Sequence, residues 1–213
     1  MEYPKVKRNV LLNPGPATTT DTVKYAQVVP DICPREKEFG DIMKQMGEDL
    51  VKIVHGDLNK YTAVLFTGSG TINIDACVNS LVPEGKKILV LNNGAYSGRA
   101  AEYYHMDHIN LKLPITEPID VDKAEEAIKA DPDIAVVYCC HHETGTGVLN
   151  PIREIGAIAH KYNKVMVVDT TSTYAMIPID MDKDNLDFIM ASAQKGLMSM
   201  TGLSYVIGNT KMI

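Results

Sequence analysis

A lysine and an aspartate, each following an apolar strand-like run, are the residues of this chain best suited to chemistry. Lys195 stands in FIMASAQKG beside Gln194. Partial desolvation in such a small-residue setting lowers the pKa of an amine and lets it attack a carbonyl, although most lysines are only solvated surface residues. Asp169 ends KVMVVD, which continues as TTSTYA. A carboxylate delivered by an apolar strand needs a cation or several donors, which fits a protonated ring nitrogen, a helix cap or a Mg²⁺ ligand. The loop TGSGT, Thr67 to Thr71, lies between a strand and a helix. Its glycines admit close approach to a phosphate, and Ser69 and Thr71 supply hydroxyls, yet it lacks the full GxGxxG spacing and the Walker lysine, so a tight turn is the competing reading. NNGAYSGR sets Tyr96 at a helix start, where its ring can stack on a flat cofactor or half-fill the core. HHETGTGVLNP offers Glu143, Thr144 and Thr146, or a turn whose hydroxyls bond their own backbone.

These segments gain force from the elements that carry them. Apolar runs predict strands over Thr62 to Phe66, Lys87 to Leu91, Asn110 to Leu113, Ile134 to Cys139, Val165 to Val168, Phe188 to Ala191 and Ser204 to Ile207. Helical patterns alternate with them near Ile72 to Val82, Ser97 to Met106, Asp122 to Ala130 and Pro151 to Tyr162. An earlier helix from about Glu38 to Val54 has Phe39, Ile42, Met43, Met46, Leu50 and Ile53 on a stripe expected to pack on the main body. The last two strands are joined without room for a full helix, so the final strand is expected to run antiparallel. The whole predicts a three-layer α/β/α architecture with a mainly parallel seven-stranded sheet, in which ligands bind beyond the carboxyl ends of the strands. Residues 1–35, rich in Pro and Thr and including NPGPATTT, read as an irregular arm with one short helix; residues 36–213 read as the large domain.

Composition narrows the function classes. The 213 residues are 45% hydrophobic and 23% charged, enough to bury roughly 70% of the unfolded surface. With 27 acidic and 21 basic residues, a net charge of −6 and no basic run, nucleic acid is not an expected partner. No apolar run approaches the roughly 18 residues that span a bilayer, and MEYPKVKRN lacks a signal-peptide core, so a soluble, cytoplasmic protein is expected. The four cysteines form no CxxC pair, which suits a reducing compartment. Cys139, Cys140, His141 and His142 follow an apolar strand on which neighbours point to opposite faces, so they are not expected to converge on a metal.

A phosphate cup, a stacking aromatic, a carboxylate for a ring nitrogen and a strand-end lysine together meet the demands of pyridoxal phosphate. The ordered motifs LLNPGP, TGSGT, NNGAYSGR, HHETGTGVLNP, VVDTTSTYA and SAQKG resemble the class V aminotransferases, a family of pyridoxal phosphate enzymes, over nearly the whole chain. That resemblance implies Lys195 as the Schiff-base lysine, Asp169 at the pyridine nitrogen and Tyr96 stacked on the ring. It also implies Ser69, Gly70 and Thr71 around the phosphate, Thr144 near the ring hydroxyl and Gln194 as a further phosphate contact. The arm NPGPATTTDTVK and the segment DICPREKEFGDIM most resemble the 2-aminoethylphosphonate:pyruvate branch, which implies conversion of 2-aminoethylphosphonate and pyruvate to phosphonoacetaldehyde and alanine. The alternatives are transamination of alanine or serine with glyoxylate or pyruvate, and a truncated cofactor-binding fragment without independent activity.

Family chains continue for roughly 150 more residues, the size of one further domain. The resemblance therefore implies that a C-terminal small domain is missing, together with the arginine expected to grip the substrate carboxylate. Expected partners are a small-molecule amine, a 2-oxo acid and a second copy in a homodimer, or a second chain supplying the missing domain.

Overall fold

The computed structural model describes residues 5–13 and 15–213; the opening of the arm at Tyr3 and Pro14 of its NPGP stretch lie outside them. In the arm, α1 (Asp21–Tyr25) starts where the Thr20 hydroxyl accepts the Val23 N–H, and α2 (Lys37–Ile53) follows. Beyond it, β1 (Tyr61–Thr67), α3 (Gly70–Ser80), β2 (Lys87–Asn92), α4 (Arg99–Tyr103), β3 (His108–Lys112), α5 (Val121–Ala130) and β4 (Ile134–Cys140) alternate. A small hairpin of β5 (His142–Glu143) and β6 (Val148–Leu149) leads to α6 (Ile152–Lys161), β7 (Val165–Asp169), β8 (Phe188–Ser192) and β9 (Leu203–Asn209).

Seven strands form one sheet in the order β1-β9-β8-β7-β4-β2-β3. The β2, β3, β4, β7 and β8 pairings are parallel, and β9 lies antiparallel between β8 and β1. All seven strands predicted from the apolar runs are therefore present, and the last is the antiparallel one. A short β8–β9 connection allows this, because antiparallel neighbours need no crossover helix.

Strand alternation sorts side chains into two cores, one on each face of the sheet. On one face Leu89, Leu91, Val137, Cys139, Met166 and Val168 meet Leu50, Val51, Ile128 and Ile155 from α2, α5 and α6. On the other Ile88, Val90, Val136, Tyr138 and Val167 meet Ile74, Val78, Ala100 and Tyr104. Burying one such aliphatic side chain contributes about 1.5–3 kcal/mol, so a strand such as β2, fully covered on both faces, is firmly anchored.

Two helix expectations need correction. The stripe assigned to α2 is rotated: Ile42 and Ile53 are 48% and 39% exposed, while Val51 and Val54 are buried with Leu50. Gly47, next to Ala63 of β1, lies one turn before Val51 and brings that side of the helix against the sheet. The helix expected from Ser97 is only the five residues of α4, because residues before it are held by side-chain contacts described below.

Candidate active site

Strands β2, β4, β7 and β8 end on one side of the sheet, and the residues after them converge on a cleft. It is lined by Tyr96, Cys140, His142, Thr144, Asp169, Thr171, Ser172 and Lys195. Four of the residues singled out from sequence, Tyr96, Thr144, Asp169 and Lys195, thus share one wall although up to 99 positions separate Tyr96 from Lys195.

Asp169 is held at the end of β7, with its main chain paired to β4 and β8. Its Oδ1 accepts the Thr171 N–H at 2.8 Å. Burial pushes its carboxyl above the ordinary range, the Thr171 contacts oppose this, and the nearby Glu143 charge adds to it. Such a carboxylate is poised for a cationic partner. Lys195 follows β8 in the turn to β9 and is half-buried; its Nζ donates to the Gly15 carbonyl at 3.2 Å. The arm is tied down beside it, since the Ala17 N–H donates to the Gln194 carbonyl at 2.9 Å. Gly15 has φ +140°, and a Cβ there would stand 2.4 Å from Lys195 Cδ, so a side chain at position 15 would occupy the lysine's space.

Ser69, Gly70, Thr71 and Gln194 stand beside the cleft rather than on its wall. Ser69 is the N-cap of α3 without a side-chain capping bond, and its carbonyl accepts the Ser204 hydroxyl at 3.2 Å. A Cβ on Gly70 would lie 3.5 Å from Thr171 Oγ1 and 3.7 Å from Ser192 Oγ, so this glycine faces the cleft-lining loop after β7. Ser192 Oγ and Gln194 Oε1 are buried with no hydrogen-bond partner among the described residues. Buried polar atoms left unpaired are costly. The unpaired Ser192 hydroxyl, 3.7 Å from where a Gly70 Cβ would stand, can donate to an anion at the open first turn of the eleven-residue α3, whereas Gln194 Oε1 is an acceptor and calls for a donor.

Sequence reasoning weighed Cys140, His141 and His142 only as metal ligands and passed over Thr171 and Ser172. His142 Nδ1 lies 3.0 Å from Ser172 Oγ, and the Ser172 hydroxyl donates to the His142 carbonyl at 3.1 Å, locking two cleft walls together. His141 turns away to Thr173 at 2.9 Å, and burial pushes its pKa down to about 4. Burial holds the Cys140 thiol well above its ordinary range, so it is a neutral lining group rather than a nucleophile. No group of three or more His, Cys, Asp or Glu side chains among the described residues is arranged to hold a metal ion.

The family model for aminotransferase class-V matches residues 19–213. The chain belongs to the class-V aminotransferase family. This family of enzymes uses pyridoxal phosphate, and the unpaired Ser192 hydroxyl, buried carboxylate and half-buried amine of the cleft fit that group. The chain is 36% identical over 203 residues to a 2-aminoethylphosphonate–pyruvate transaminase of Bacillus mycoides, covering 94% of this chain and 55% of that protein. It is 34% identical, also over 203 residues, to a bifunctional phosphonoacetaldehyde hydrolase/aminoethylphosphonate transaminase of Clostridioides difficile, covering 94% of this chain and 32% of that protein. The class-V chain thus spans about half, or less, of the length of these relatives. An alanine–glyoxylate aminotransferase structure from Nostoc sp. shares the fold, with a TM-score of 0.87 at 24% identity over 100% of this chain and 56% of that one. No helix among the described residues is long and apolar enough to cross a membrane.

Proposed function

We propose that this chain is the cofactor-binding large domain of a transaminase that moves the amine of 2-aminoethylphosphonate to pyruvate, giving phosphonoacetaldehyde and alanine. The observation that carries this reading is the convergence of Lys195, Asp169, Tyr96 and Thr144, from four separate strand ends, on one cleft. Support for the substrate comes from relatives at 34–36% identity that carry aminoethylphosphonate in their names.

Pyridoxal phosphate, when bound, supplies an aldehyde for the amine nitrogen and a protonated ring that accepts electrons as a bond to the amine carbon breaks. Under this reading Asp169 keeps the ring nitrogen protonated, and the cationic ring in turn offsets the cost of burying the carboxylate. Lys195 would be the residue that holds the aldehyde end of the cofactor, and its Nζ would be the base and acid that moves a proton between carbon atoms. Tyr96 would offer its ring face, Thr144 would pair with the ring hydroxyl, and Ser69, Gly70, Thr71 and the Gln194 side-chain amide would hold the phosphate, for which the unpaired Ser192 hydroxyl is a further donor.

The partners in this proposal are a small-molecule amine, a 2-oxo acid and a second copy of the chain, the last checked by sedimentation. Four free cysteines support a cytoplasmic location. The decisive experiment is borohydride reduction of the purified protein with pyridoxal phosphate, followed by peptide mapping. Label on Lys195 is expected, and label elsewhere sinks the site assignment. A substrate panel then tests the donor: turnover only of alanine with glyoxylate would overturn the phosphonate reading.

A further inference from the structure

Glu143 does not line the cleft, yet it joins two of the loops that do. It is fully buried, at 0% exposure, on the two-residue strand β5, directly before Thr144. Its Oε1 accepts the Tyr96 N–H at 2.8 Å, and its Oε2 accepts the Ser97 N–H at 3.0 Å and the Ser97 hydroxyl at 2.9 Å. Both carboxylate oxygens are thus spent on a loop 46 to 47 positions earlier in the chain. The approach is so close that a Cβ on Gly94 would fall 2.2 Å from Glu143 Cγ, leaving room only for glycine. One face of the Tyr96 ring is covered by Arg99, whose guanidinium lies 4.5 Å from the ring centroid.

We propose that Glu143 is a positioning residue for Tyr96, tying the loop after β2 to the β5–β6 hairpin so that the aromatic face is set before the cofactor arrives. The proposal rests on the pyridoxal phosphate reading of the cleft. Two charge-assisted bonds to consecutive backbone amides define the direction of the main chain at Tyr96, and a side chain leaves the main chain in a fixed direction. Burial of the carboxylate excludes competing water, and the hairpin turn after Glu143 carries Thr144 at a fixed distance along the chain. Glutamine at 143 can still accept one of the two amides, but its NH₂ must then confront the other N–H, donor against donor. Tyr96 is thereby released from its place without any change in the residues lining the cleft.

The test is a double-substitution cycle read by pyridoxal phosphate affinity, from cofactor absorbance and fluorescence, on the full chain. Glu143→Gln is expected to weaken binding about tenfold, or ~1.4 kcal/mol. In a Tyr96→Ala background the same substitution is expected to change affinity less than twofold, because the ring through which Glu143 acts is gone. An equal loss in both backgrounds, or no loss in the wild-type background, overturns the inference. Should Glu143→Gln fail to fold, hydrogen exchange of the wild-type chain decides: Tyr96 and Ser97 amides as protected as those of β2 support the clamp, and amides exchanging at loop rates overturn it. A wild-type chain that gives no borohydride adduct at Lys195 overturns the cofactor reading and this inference with it, whereas a normal adduct with an unchanged variant overturns this inference alone.

Discussion

Replacing Asp169 with asparagine separates the stability of the fold from the demands of the site. In Asp169→Asn the amide oxygen can still accept the Thr171 N–H, which is 2.8 Å from Oδ1, so the change is chiefly the removal of a buried charge. Burial raises the folded-state pKa of Asp169 above its ordinary value. A group raised in this way contributes stability that is full below the unfolded pKa of about 3.8 and is lost as pH rises through the folded value. As pH rises, burial therefore sets ionisation of this carboxyl against the cofactor-free fold, a penalty that asparagine does not carry. Replacing buried ionic groups by uncharged ones is neutral to stabilising by about 1–4 kcal/mol where it has been examined in buried pairs. The low end applies because Asp169 keeps 7% exposure and the Arg99 charge lies within reach of it. A gain of ~1 kcal/mol corresponds to about 2–4 °C in Tm for a chain of this size. Thermal unfolding without cofactor over a pH series above the ordinary carboxylate value should show the variant gaining on the wild type as pH rises and melting higher at the alkaline end. With saturating pyridoxal phosphate the order should reverse, because the wild type gains a cationic partner worth about 3 kcal/mol or more and the variant does not. A variant that melts at or below the wild type across that pH range without cofactor would refute the argument that burial, rather than satisfied pairing, governs this carboxylate.

Other perturbations follow from the same geometry. Gly196→Ala would place a Cβ 2.2 Å from the Tyr174 carbonyl oxygen, a main-chain atom that cannot step aside, so a loss of ~3 kcal/mol or more is expected in urea unfolding together with loss of the Lys195 adduct. Gly15→Ala strains a φ of +140° and intrudes on Lys195, and is expected to slow borohydride-trapped labelling of Lys195 several-fold at a stability cost of about 1–3 kcal/mol; unchanged labelling kinetics would show that the arm leaves the lysine free. His141, whose pKa is pushed down to about 4 by burial, contributes stability present above its ordinary value of 6.5 and lost as pH falls towards 4. Wild type should lose about 3 kcal/mol from this group over that interval. His141→Asn should flatten that part of the urea-midpoint curve, and an identical acid limb in the two proteins would count against it.

The seven strands were legible because each is a short apolar run closed by a glycine-bearing or polar loop, and because ligands of such a sheet bind beyond its strand ends, Lys195, Asp169, Tyr96 and Thr144 were legible with them. Helix faces were less legible. The stripe of α2 was assigned from spacing alone, but Gly47 and the approach to Ala63 turn Val51 and Val54 inward in place of Ile42 and Ile53. The β5–β6 hairpin was hidden because two-residue strands carry too few side chains to show a period.

The sequence by itself determined the chemistry available: which amine, carboxylate, aromatic and hydroxyls lie at strand ends, and the order of motifs that marks the family. Tertiary structure alone decided how they are held. The Glu143 clamp on Tyr96 and Ser97 spans 46 to 47 positions, and the Lys195 bond to Gly15 spans 180. No local pattern encodes such contacts, because they arise only when sheet order brings distant loops together and burial leaves their polar groups one another as partners.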